Sequence, residues 1–349
     1  MTAPLPWHQA QWDAVLGAHG GRRLHHALLA AGPPGVGKAA FVAALAAYLL
    51  CESPHDGQPC GHCRGCRQHA AGSHPDCIVL SPDHLNRPAL GAYPGQRCQY
   101  DNSRKKPSTV INVEQVRELG ERLHASAHYG GYKLAVLLPA DALNTAAANA
   151  LLKLLEEPPD NTLFLLLSQR LAQLPATVRS RCQVLRFHTP TPAQARAALG
   201  AGEHAPLALE LAGGAPLRAK ELLAQDIGAV WQAVGTGLAA LLGGETDPLQ
   251  LARDWLKLPQ AALDAALYGW LRRALRRAAG VADGEPVPLA RLHAFWRELE
   301  DFLRLREHPL VKELALQRLL YTLWAAGDTP RIPTPTATPR SRHGGSLLT

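Results

Sequence analysis

Hydrophobic positions along the chain follow two rhythms. In the first half, short apolar runs recur between longer segments of helical period. Residues 24–31, LHHALLAA, lead into a glycine-rich loop, and 38–50 carry helix-forming Ala, Leu and Val, so strand, loop and helix are expected in that order. Leu134 to Leu138 and Leu163 to Leu167 are further buried-strand candidates. The helical segment TAAANALLKLLEE separates them, and Pro158-Pro159 ends it by removing N–H donors and crowding the preceding turn. Gln183 to Phe187 adds another strand. Strands alternating with helices predict an α/β fold, a mostly parallel sheet flanked by helices on both faces. After HTPTP at 188–192 the rhythm becomes all-helical, with Gly/Pro turns between segments. The boundaries expected are 1–188 for a nucleotide-binding-like domain, 189–226 for a small helical lid, 227–327 for an all-α domain and 328–349 for a tail. That tail is rich in Pro, Thr, Ser and Arg and is expected to be disordered. Residues 82–109 form a second irregular stretch.

Composition narrows this little. A chain of 349 residues suits two or three domains. Its 47% hydrophobic and 19% charged residues are ordinary globular usage. A net charge of +7, spread along the chain, permits nucleic acid or an acidic partner without demanding either. The first residues, MTAPLPWHQAQW, lack the basic start and apolar core of a signal peptide. The longest near-apolar run, 39–51, is short of the roughly 20 residues that cross a bilayer, so a soluble, cytoplasmic protein without membrane contact is expected.

The cysteines add chemistry. Cys51, Cys60, Cys63 and Cys66 have the spacing C-x8-C-x2-C-x2-C. The turns of CGHCRGC bring three thiolates together, with Gly61 and Gly65 easing the backbone, and Cys51 at a helix end closes a tetrahedron. Structural zinc fits this module at 51–66 best, with an iron–sulfur cluster or free thiols as alternatives. His62, His69 and His74 lie nearby and read as polar surface histidines, because four cysteines already satisfy zinc. Cys77, Cys98 and Cys182 read as small buried or incidental thiols.

The loop Gly32-Pro33-Pro34-Gly35-Val36-Gly37-Lys38 has the form Gly-x-x-x-x-Gly-Lys between a strand and a helix. Backbone N–H groups near Gly32, Gly35 and Gly37, together with Lys38, would face phosphates at the positive end of the helix. Hydrolysis also needs magnesium. Ala39 stands where a hydroxyl ligand is needed, and KLAVLL ends in Leu138-Pro139 where acidic groups would be expected. Asp141 is an acid displaced by three positions, and a turn or cap role suits it better. The pattern describes a nucleotide-binding fold without an ATPase centre.

HALLAAGPPGVGK, the four-cysteine loop after the first helix, AAANALLKLLEEPP and SRC at 180–182 occur in order. With these motifs the chain resembles the delta-prime subunits of the bacterial DNA polymerase III clamp loader, members of the AAA+ superfamily, over about residues 5–225. The resemblance implies an AAA+ module with an inserted zinc site, a helical lid and a helical collar domain. It implies a stationary accessory subunit of the polymerase (nucleotidyltransferase) holoenzyme, lacking ATPase activity of its own. Its implied partners are the gamma/tau motor subunits and the delta subunit in a hetero-pentamer, the sliding clamp, and primed DNA contacted through the assembly. ATP would be bound by the neighbouring subunits, weakly or not at all by this chain. Arg181 of Ser-Arg-Cys would be a trans-acting finger in the adjacent motor's site; its planar, permanent charge suits γ-phosphate oxygens. Ser168 matches a polar sensor position and Arg218 a lid arginine, with strand-end turn and solvated helix charge as the plainer readings.

An autonomous AAA+ ATPase with a degenerate magnesium site is the rival function, opposed by Ala39, Leu138 and Pro139. A zinc-dependent nucleic-acid regulator would need a basic or aromatic surface at 51–77, which offers chiefly Arg64 and Arg67. Lys105 and Lys106 read as solvated loop charges. Arg272, Arg273, Arg276 and Arg277 read as one exposed stripe of an amphipathic helix. Trp255, Trp270, Trp296 and Trp324 read as core or interface anchors.

Overall fold

The computed structural model describes residues 3–82, 96–97, 108–125, 127–283, 286–305 and 309–324. Cys98, Lys105, Lys106, most of the 82–109 stretch and the 328–349 tail lie outside them. The chain divides into two compact units, Met1–Ala224 and the remainder from Gln225.

The first unit runs α1 (Gln9–Gly20), β1 (Ala27–Ala31), α2 (Lys38–Leu49), α3 (Arg64–Ala70), β2 (Cys77–Leu80), β3 (Gln96–Arg97), α4 (Val113–His124), β4 (Lys133–Leu137), α5 (Thr145–Glu156), β5 (Thr162–Ser168), α6 (Ala176–Arg179) and β6 (Gln183–Arg186). Helices α7 (Pro192–Leu199), α8 (Ala205–Leu211) and α9 (Pro216–Ala224) follow and pack on one another. The strands form one sheet in the order β3-β2-β4-β5-β1-β6, and every neighbouring pair is parallel. In this parallel α/β arrangement the loop-bearing β1 is flanked by β5 and β6.

Successive side chains of a strand point to opposite faces, and in a sheet covered on both sides each face needs its own apolar set. Leu28 and Ala30 of β1 join Trp12, Phe41 and Leu45 on one face. Ala27 and Leu29 join Leu119, Leu151 and Leu155 on the other. β1 begins at Ala27, later than the apolar run suggests: the stacked His25 and His26 precede it, His25 Nδ1 lying 3.0 Å from the Ala27 carbonyl oxygen and His26 Nε2 2.9 Å from that of Leu155. β6 is an edge strand whose Gln183 and Arg186 are exposed, a polar margin that discourages further strand pairing.

Helix starts follow local chemistry. Asn112 with Gln115 and Thr191 with Gln194 form reciprocal capping boxes at α4 and α7, and the Asn144 side chain accepts the Ala147 N–H at α5. Glu156 is the last residue of α5, just before the proline pair.

The second unit is helical: α10 (Ile227–Leu242), α11 (Pro248–Trp255), α12 (Gln260–Ala278), α13 (Leu289–Leu305) and α14 (Pro309–Trp324). Leu267, Phe295, Phe302, Leu316 and Leu320 are in its core. The four arginines of α12 do not act as one stripe, because adjacent helical positions are about 100° apart. Arg272 and Arg276 flank an apolar groove with Tyr268, Leu275 and Trp296. The Arg273 guanidinium stacks 4.5 Å over the Trp231 ring and, with Arg277 and Trp270, lines a cavity of about 660 Å³. Trp255 is buried, whereas Trp296 and Trp324 are partly exposed.

Candidate functional site

The phosphate-type loop leaves β1 at Gly32 and enters α2 at Lys38. Gly35 and Gly37 have φ of 75° and 100°, left-handed values that glycine adopts without strain. A Cβ on Gly32 would lie 2.2 Å from the Phe187 carbonyl oxygen, so this glycine is required by the approach of the chain after β6.

The loop is covered by its own chain. Trp7 Nε1 donates to the Val36 carbonyl at 2.9 Å, and the Leu217 N–H donates to the Gly35 carbonyl at 3.1 Å. A Cβ on Gly37 would meet Leu5 Cδ1 at 2.3 Å, and one on Gly35 would meet Arg218 Cβ at 2.4 Å. The N-terminal segment thus closes one side and the start of α9 another. His8 is buried there, edge-on to Phe187 and Phe41 with ring centroids 4.9 and 5.9 Å away. Burial pushes its imidazole down to about 4. Sequence reasoning missed Leu5, Trp7, His8 and Leu217, which carry no motif.

Lys38 is buried, and its Nζ donates to the carbonyls of Gly32 and Pro33, both at 2.6 Å. Burial lowers its pKa to about 8, against the opposing effect of the Asp141 carboxylate. Asp141 Oδ2 accepts the N–H groups of Gln169 at 2.7 Å and Arg170 at 3.1 Å, a turn-holding role at the end of β5. Ser168 pairs with Ala31 in the sheet, its carbonyl accepts the Gly32 N–H, and its Oγ is buried without a hydrogen-bond partner. Arg218 sits against Gly35. Lys38, Ser168, Asp141 and Arg218 therefore surround the loop, while Ala39 adds only a methyl.

A second cluster forms beyond α2. The sulfurs of Cys51, Cys60, Cys63 and Cys66 all lie within 4.8 Å of one another. The Cys51–Cys63 and Cys60–Cys66 separations are 3.9 and 4.0 Å. Tetrahedral zinc with Zn–S bonds of about 2.3 Å places its ligands roughly 3.8 Å apart, so the donor set fits the ion. The backbone N–H groups of His62 and Cys63 pull the Cys60 thiol down to about 5, whereas burial raises Cys51 and Cys66. Four protein sulfurs leave no open position, the hallmark of a structural site.

Two neighbouring histidines differ from expectation. His69 and His74 are buried, not surface residues: α3 packs against α2 over His69, and His74 is covered by Tyr129. His69 Nε2 lies 3.2 Å from the Ala43 carbonyl oxygen, and burial drives its pKa down to about 4. His74 packs edge-on against Tyr129, over which Arg64 also stacks. His62 is exposed, as read. Cys77 is buried and its thiol is raised to about 12; Cys182 is half-buried and raised to about 11.

Arg181 follows the single turn of α6, with its side chain 36% exposed. One guanidinium nitrogen donates to the Thr177 carbonyl at 2.9 Å, and the other lies 2.5 Å from a Glu156 carboxylate oxygen.

A family model described as DNA polymerase III, delta subunit, matches residues 9–191. The DNA polymerase III subunit delta' of Pseudomonas aeruginosa is 36% identical over 285 residues, 79% of this chain and 78% of that protein. Its Escherichia coli counterpart is 39% identical over 189 residues, 54% of this chain and 50% of that protein. The DNA polymerase III subunit tau of Escherichia coli is 34% identical over 166 residues, 48% of this chain and 22% of that protein. Among the described residues no helix is long and apolar enough to cross a membrane. On the strength of the P. aeruginosa match across most of both chains, together with the family model, this chain belongs to the family of DNA polymerase III delta' subunits.

Proposed function

We propose that the chain is a non-hydrolysing stator of the DNA polymerase III clamp loader, helping to load the sliding clamp onto primed DNA. The observation that carries this reading is the contrast between a phosphate loop closed by Leu5, Trp7, Leu217 and Arg218 and a half-exposed arginine beside α6. With Lys38 engaged by loop carbonyls and no hydroxyl at Ala39, this chain offers a γ-phosphate and its magnesium few of the groups that hydrolysis uses.

In this reading Arg181 acts in trans. The gamma/tau motor subunits bind ATP, and the guanidinium stabilises charge that spreads over the γ-phosphate oxygens in the transition state. The delta subunit completes the ring with the clamp and primed DNA as its substrates. Zinc on the four cysteines holds the 51–66 module and takes no chemical step. The domain boundaries at 188 and 226, with α10–α14 as a collar, belong to the same proposal. An autonomous ATPase is disfavoured by the same contacts at the loop.

The test is phosphate release from Mg-ATP by the purified chain alone and by a reconstituted loader with clamp and primed DNA. The lone chain is expected to be silent, and Arg181→Ala to lower turnover of the assembly. Turnover by the lone chain would overthrow the stator reading, and an unaffected assembly would remove the finger.

A further inference from the structure

We infer that Glu156 is the positioning residue of the Arg181 finger; this rests on the role proposed above for Arg181. Two motifs singled out in the sequence, LLKLLEEPP and SRC, meet at this ion pair. Glu156 ends α5 and Arg181 lies just beyond α6, and the two helices pack together.

The guanidinium has five N–H donors in a rigid plane. The Thr177 carbonyl takes one end of that fork at 2.9 Å, with Ser180 Oγ at 3.5 Å from the same nitrogen. Glu156 lies against the other end as an ion pair at 2.5 Å. A hydrogen bond at one end and an ion pair at the other set the plane of the fork. The Nε–H then has no partner among the described residues and is available to an oxyanion from outside the chain.

The pair contributes little to the fold. Both side chains are substantially exposed, at 36% and 50%, and exposed ion pairs add little to stability. The backbone around Arg181 is already held, since the Arg181 and Cys182 N–H groups donate to the carbonyls of Val178 and Arg179. What the carboxylate supplies is orientation. A long side chain after a single helical turn samples many rotamers, and holding it near the reacting geometry raises the rate without tightening ATP binding. Full charge neutralisation by Glu156 would instead weaken the finger, so the proposal requires that losing the carboxylate slows hydrolysis.

The experiment measures kcat and KM for ATP in the reconstituted loader with clamp and primed DNA. Wild type is compared with Glu156→Gln, Glu156→Asp, Arg181→Ala and the Glu156→Gln/Arg181→Ala double variant. Glu156→Gln is expected to lower kcat about two- to fivefold, the scale of one exposed ion pair, with KM unchanged. Glu156→Asp should recover part of the loss. The double variant should match Arg181→Ala alone, because without the finger there is nothing to position. If Glu156→Gln equals or exceeds wild type while Arg181→Ala is slow, the positioning role is overturned and the finger stands. If Arg181→Ala leaves turnover unchanged, the finger reading fails and the role of Glu156 falls with it.

Discussion

Replacing Gly35 by alanine tests whether the phosphate loop is closed by its own chain. At φ of 75° an alanine enters the left-handed region at a cost of roughly 1–2 kcal/mol. Its Cβ would also lie 2.4 Å from Arg218 Cβ and 2.9 Å from the Arg218 backbone nitrogen, so α9 has to move. Overpacking of that kind costs about 1–3 kcal/mol. The two together come to about 2–5 kcal/mol, and a domain of this size loses roughly 2–4 °C of melting temperature per kcal/mol. Calorimetry of the full chain should therefore show the Met1–Ala224 transition falling by roughly 4–20 °C. Gly17→Ala is the control of opposite sign. It lies inside α1 with nothing within 4 Å of the new methyl, and should stabilise slightly. Wild type heated with and without Mg-ATP completes the set, because a ligand at a hundredfold its Kd would add about 2.7 kcal/mol. A Gly35→Ala transition indistinguishable from wild type would show that α9 does not seat on the loop. A clear upward shift with Mg-ATP would show that the loop opens to nucleotide.

The other expectations concern the metal and pH. The purified chain should carry one zinc by elemental analysis; Cys60→Ser should lower that content and expose the 51–66 module to protease, and acid should release the ion as thiolates protonate. Retention of full zinc by Cys60→Ser would remove that residue from the donor set. His8 has a folded pKa near 4 against an ordinary 6.5, so the unfolded chain binds more protons between those values. Its contribution is complete above about pH 6.5 and is lost as pH falls toward 4, and His69 acts in the same direction. Melting temperatures across pH 4–8 should fall on the acid side, less steeply in His8→Phe, which keeps the edge-on contacts; identical slopes would exclude His8 as a source.

Local pattern determined a good deal. The apolar runs at β1, β4 and β5 and the proline stop after Glu157 are all set by residues a few positions apart, and periodicity and spacing read such relations directly. The four cysteines were legible for the same reason, as a short loop with tight turns holds its thiolates close in any fold. The absence of a hydroxyl at position 39 needed only chemistry.

Tertiary structure decided what depends on residues far apart in the chain. Leu5 and Trp7 reach the loop from upstream, and Leu217 and Arg218 reach it from α9. No rule of composition marks a leucine as a cover for Gly37. His69 and His74 look polar in the sequence, yet the packing of α3 on α2 buries the first and Tyr129 covers the second, and both contacts are properties of the assembled fold. The arginines of α12 share a helix but meet different neighbours on its two sides. Glu156 and Arg181 stand in separate motifs, and only the fold brings a carboxylate at the end of one helix to the guanidinium beyond another. Sequence determines which groups are present and how they repeat; the parallel sheet, by placing segments from both ends of the first unit around one loop, determines which of them touch.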